Sequence, residues 1–77
     1  MTDKEMQVFI DAVDNMDDEE LSVNTVIARG QVEREEDFSS ENGPGPSLEQ
    51  IKRMLERCEI EVQARGVNVG DYYEENR

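Results

Sequence analysis

Between positions 47 and 67 the apolar residues Leu48, Ile51, Leu55, Cys58 and Val62 step by three, four, three and four. At 3.6 residues per turn that spacing lines one narrow seam and predicts a helix over 47–66. Its start is marked by Ser47 and, three places on, Gln50, the pair that forms a capping box. Pro44 and Pro46 disfavour helix upstream. Gly66 suits the left-handed residue that closes a helix, with Val67 as its apolar companion and Arg65 at the negative end of the dipole. Met54 widens the seam, and Ile60 points away from it, among Arg53, Glu56 and Arg57.

A second amphipathic stretch opens the chain. Thr2 and Glu5 read as another capping box, and Met6, Phe9, Ile10, Val13 and Met16 recur at helical spacing, so a helix is expected over about 3–16. Val8 and Ala12 lie off that stripe, which suggests that this helix packs on more than one side. Were it to run on through 20 it would be an acidic helix, with Asp11, Asp14 and Asp18 as a ridge. Like charges at such spacing oppose a helix by about 0.2–0.5 kcal/mol per pair.

Residues 21–36 fit two patterns. As a helix they show the stripe Leu21, Thr25, Ala28 and Val32, with Asp17 to Glu20 suited to a helix N-terminus. As a strand, Leu21, Val23, Thr25 and Ile27 alternate with other residues and the β-branched content favours extension. A strand needs a partner and only the short 67–69 stretch offers one, so helix is preferred, with a break expected near Gly30. Residues 37–46 read as a mobile Gly/Pro linker, punctuated by Asn42-Gly43 and Pro44-Gly45-Pro46. The remaining 67–77 form a tail in which Tyr72 and Tyr73 either fold back or make an exposed contact pair. The expected architecture is mostly α, a helical hairpin or three-helix domain with a Gly/Pro linker. The alternative is α+β, with a short strand near 21–29.

Size then changes the picture. Seventy-seven residues, 35% hydrophobic and with only four aromatics, make one domain with a thin core. Domains this small usually need a staple. One cysteine excludes an internal disulfide, and the absence of histidine leaves no conventional metal set. Self-association is therefore expected, through the 48–62 seam and the stripe of Met6, Phe9 and Val13. No apolar core of a signal peptide and no stretch of transmembrane length is present, so the expected setting is cytoplasmic, away from membranes.

Charge divides the chain. The formal net charge is −12. Residues 1–46 hold thirteen acids and three bases, residues 47–66 four of each, and residues 67–77 three acids and one base. The seam helix is neutral and the excess lies mainly in the first half. Catalysis finds little footing here: Cys58 lies on the apolar seam with no histidine to activate it, no glycine-rich phosphate loop is present, and the acids do not follow a calcium-loop pattern. No cofactor, metal or catalytic residue is expected.

Direct nucleic-acid binding is opposed by the same charge. The reverse, imitation of a phosphate backbone, is attractive on spacing. Eight acids from Asp3 to Glu20 would fall about every 3.2 Å along a continuous helix, against about 3.4 Å for phosphates on one DNA strand. In size, acidity and lack of a catalytic set the chain resembles the small phage proteins that block host nucleic-acid-handling proteins, among them anti-CRISPR and anti-restriction proteins. That resemblance implies a cytoplasmic inhibitor, in a viral setting the host's cytoplasm, and brings no motif residue with it. The expected binding surface is Asp11, Asp14, Asp17, Asp18, Glu19 and Glu20, and the expected partner a basic protein surface, such as that of a nucleic-acid-handling protein. Alternatives are an adaptor that oligomerises or binds through apolar helix faces such as Val8, Phe9 and Ile60, or charge that serves only solubility or salt adaptation.

Overall fold

A computed structural model describes residues 1–39 and 45–70. Three helices, α1 (Asp3–Ala12), α2 (Asp18–Glu33) and α3 (Leu48–Arg65), are joined by a 3₁₀ turn (Val13–Asn15) and a longer connection before α3. No strand occurs among the described residues, so the α+β alternative is set aside. Asn42, Gly43 and Pro44 of the linker, and Tyr72 and Tyr73 of the tail, lie outside the described residues.

The three helix starts follow local chemistry. Thr2 Oγ1 accepts from the Glu5 N–H at 3.1 Å while the Glu5 carboxylate accepts from the Thr2 N–H at 3.0 Å. Ser47 and Gln50 repeat the reciprocal pair at 3.0 and 3.1 Å. At α2 the Asp17 carboxylate accepts from the Glu20 N–H at 2.7 Å, and Asp18, Glu19 and Glu20 occupy the first turn, where the helix dipole favours anions. At the other end of α3, Gly66 adopts φ 68°, and the N–H groups of Val67 and Gly66 reach the carbonyls of Val62 and Gln63. Those two bonds make a Schellman ending, and Val67 packs on the cluster that contains Val62.

An acidic helix over 3–20 is corrected by the structure. α1 ends at Ala12, the chain tightens into the 3₁₀ turn, and Met16 is extended (φ −70°, ψ 141°) before Asp17 caps a new helix. This elbow lets Met16 turn inward and gives α2 its own direction. α2 also begins earlier than position 21 and passes through Gly30 without a break.

The core consists of two small clusters. Val13, Met16, Leu21, Cys58, Val62 and Val69 fill the elbow end. Met6, Ala28, Ile51 and Met54 fill the other, with Ile10, Val32 and Leu55 against them. The seam of α3 packs on the chain's own α1 and α2 and forms the core: Ile51 and Cys58 are fully buried, and Leu48 and Leu55 half-buried. Thr25, Ser22 and Ala28 bury small side chains on α2. The Thr25 hydroxyl donates to the Leu21 carbonyl at 2.7 Å, which lets a polar β-branched residue sit inside a helix. Ser22 has no such relief. Its hydroxyl is buried with no hydrogen-bond partner among the described residues. Ser22→Ala removes that cost and adds helix propensity, so it should stabilise the protein by about 0.5–1.5 kcal/mol in urea denaturation.

The two described ends of the linker are tied together. The Phe38 N–H donates to the Pro46 carbonyl at 2.9 Å and the Gly45 N–H to the Phe38 carbonyl at 3.1 Å. A Cβ at Gly45 would stand 2.5 Å from the Cβ of Phe38, so this crossing requires glycine.

Candidate functional site, the acidic elbow

The elbow is built around two arginines of α3. Arg57, Glu61 and Arg65 are spaced four apart on one flank of the helix, so Glu61 takes a hydrogen bond from each arginine, 3.2 Å from Arg57 and 2.8 Å from Arg65. Arg57 also pairs with Asp14. Arg65 uses its whole donor set. Its Nε binds Glu61, its Nη1 the Met16 carbonyl at 2.6 Å and the Asp18 carboxylate at 3.1 Å, and its Nη2 the Val13 and Asp14 carbonyls at 3.3 and 3.2 Å. A guanidinium has five N–H donors, and here all are engaged. The carbonyls it collects belong to the 3₁₀ turn and Met16, where the helix stops; that of Val13 also accepts from the Met16 N–H at 3.2 Å.

The pKa shifts follow this geometry. The hydrogen bonds from Arg65, then Arg57, hold the Glu61 carboxyl below the ordinary glutamate range. Glu61, then Asp18, raises Arg65 further above its already high value. Burial pushes the Cys58 thiol up, with Thr25 and Arg57 only partly opposing it. Cys58 is a fully buried core residue, and burial disfavours the thiolate form that a nucleophile needs.

The six carboxylates expected as a binding surface do gather at this end, but in unlike roles. Asp14 and Asp18 pair with Arg57 and Arg65. Asp17 is a cap, and Asp11 accepts from Gln7 at 2.9 Å. Glu19 and Glu20 are exposed, and among the described residues their side chains have no ion-pair partner. The ridge of Asp11, Asp14 and Asp18 along one rod is therefore corrected: the elbow breaks the rod and the even spacing with it. The idea that Asp14 and Asp18 oppose folding is corrected too, since each is neutralised within the fold.

Sequence reading missed the arginine hub. Its signal was present as Arg57-x-x-x-Glu61-x-x-x-Arg65, a run of i,i+4 opposite charges on one face. It could not show what the hub would meet, because Val13 and Asp14 lie about fifty residues away. Elsewhere, Arg29 pairs with Glu59 at 3.1 Å and Arg34 with Glu36 at 2.9 Å. No group of three or more cysteine, aspartate or glutamate side chains among the described residues is placed to hold a metal ion. No described helix is long and apolar enough to cross a membrane. Comparison of the chain with protein families, characterised proteins and solved structures returns no match.

Proposed function

We propose that this chain is a protein-binding protein without catalytic activity, and that its acidic elbow docks on a basic groove of a partner. The reading rests on one observation. Asp11, Asp14, Asp17, Asp18, Glu19, Glu20 and Glu61 lie on or beside the elbow, and the two arginines there are already paired with the chain's own oxygens, Arg57 with Asp14 and Glu61 and Arg65 through all its donors. The surplus negative charge has no internal counterpart, so it favours an external one. Since the elbow interrupts the rod, the carboxylates imitate a cluster of phosphates rather than a strand. They would occupy Lys and Arg positions that otherwise hold a nucleic acid, which is competitive occlusion.

Asp14 and Asp18 also hold the fold, so the test uses acids that do not. In Glu19→Gln/Glu20→Gln, three steps go together: capture of the partner from lysate at low salt, identification, and measurement of association. The variant should fold as the parent does and associate at least about tenfold more slowly at ~50 mM salt, with the difference shrinking at ~500 mM. An unchanged association rate at low salt sinks the proposal. Val23 and Ile27, 36% and 51% exposed on α2, support a second reading in which apolar faces bind. Association indifferent to both salt and these glutamates would favour it.

A further inference from the structure

α3 leaves one flank uncovered. Along it runs a groove of about 310 Å³, formed by Leu55, Ile60 and Val32 of α2, with Lys52, Glu56 and Glu59 among its other walls. Ile60 is 55% exposed, second only to Val8 among the large apolar side chains of the described residues. At about 100° per residue this flank lies on the side of α3 away from Arg57, Glu61 and Arg65, so the groove and the elbow are separate surfaces.

We propose that a second copy of this chain covers the groove, with α3 packed antiparallel against its two-fold mate. Charge selects this occupant. Most of the surface of a chain with net charge −12 repels its own copy, and α3 is the segment where acids and bases balance. Within the groove, Glu59 is already neutralised by Arg29. Lys52 and Glu56 make no ion pair among the described residues, so each is available to an incoming surface. An interface between identical copies must be self-complementary. The base precedes the acids along the helix, by four residues for Glu56 and seven for Glu59. A two-fold axis near Leu55 therefore sets Lys52 of each copy against the Glu56–Glu59 stretch of the other. The same axis brings Leu55 onto Leu55 and leaves Ile60 about 7.5 Å farther along each helix, at the rim of the contact. Two α2–α3 hairpins then meet face to face as an antiparallel four-helix arrangement. The apolar contact supplies affinity and the charges set register. Overall repulsion between the copies makes the dimer weak at low salt and tighter once the screening length falls to about 8 Å or less.

Sedimentation velocity on the full chain between about 5 and about 500 µM tests this. The expected result is a reversible monomer–dimer equilibrium that tightens as salt rises. Ile60→Ser, at an exposed position, should keep the thermal midpoint and weaken the dimer at least about tenfold. Lys52→Glu and Glu56→Lys should each weaken it, and the double variant should return it to within about threefold of the parent. A chain monomeric throughout, a dimer indifferent to Ile60→Ser, or a double variant as weak as the singles would each overturn the proposal. Glu19→Gln/Glu20→Gln leaves this dimer intact, so the elbow and the groove stand or fall separately.

Discussion

Replacing Arg65 by alanine should lower the unfolding free energy by about 2–4 kcal/mol, measured by urea denaturation. The magnitude comes from what the guanidinium leaves behind. Three elbow carbonyls, the Asp18 carboxylate and Glu61 lose one shared donor group. Water can reach part of this site, since the Arg65 side chain is 21% exposed, so the loss falls well below the sum of five charged hydrogen bonds. Domains of this size are typically stable by about 4–11 kcal/mol, and the thermal midpoint should fall by about 10–25 °C. Arg65→Lys keeps the charge but loses the planar fork, and should recover less than half of the difference.

The pH dependence of that loss has a definite sign. Glu61 is held below the ordinary glutamate pKa by Arg65, so its pairing contributes stability above that ordinary value. The contribution disappears as pH falls through the lowered folded value. The gap between the parent and Arg65→Ala should accordingly be full at neutral pH and narrow in acid. A gap that stayed constant from neutral to strongly acidic pH would assign the effect to the carbonyls alone.

Ile51→Ala is the second large effect expected. Ile51 has no exposed surface and sits between Met6 of α1 and Ala28 of α2 in the smaller of the two clusters. The alanine at position 28 cannot grow to fill the space, and the side chains around the cluster relax into it only in part. The transfer and cavity contributions together predict a loss of about 3–4 kcal/mol. That is a large share of the total for a domain this small. Met54→Leu, which conserves volume in the same cluster, should cost less than about 1.5 kcal/mol. Equal losses for both would show that the cluster tolerates no change of shape, and that the cavity is not the cause.

How far the fold could be read from the chain depended on where each signal resides. α3 was legible because cap, seam and closing glycine all lie within twenty residues and agree. α2 was ambiguous because Val23, Thr25, Val26 and Ile27 are locally suited to a strand. What decides for a helix is burial of Leu21 and Thr25 beside Cys58 and Val62, which no local pattern contains. The elbow was hidden for a geometric reason: the step from Val13 to Met16 is three residues, which a 3₁₀ turn and an α-helix both satisfy. Only the capping character of Asp17 hinted at the break. At the candidate site the acids could be listed from the sequence, but not sorted. Asp14 and Asp18 differ from Glu19 and Glu20 solely in what α3 brings against them.

The Arg65 clamp also bears on time. α2 and α3 are joined by a fourteen-residue connection and can find one another early, since closing a short loop costs little chain entropy. The clamp joins positions 52 apart, from Val13 to Arg65, and requires the elbow to be shaped already. On loop-closure grounds it is expected to form after α2 and α3 have paired, and stopped-flow kinetics of Arg65→Ala would check this. Strengthening or weakening it therefore changes chiefly how long the native molecule persists before α1 peels away, and hardly at all how fast the hairpin assembles.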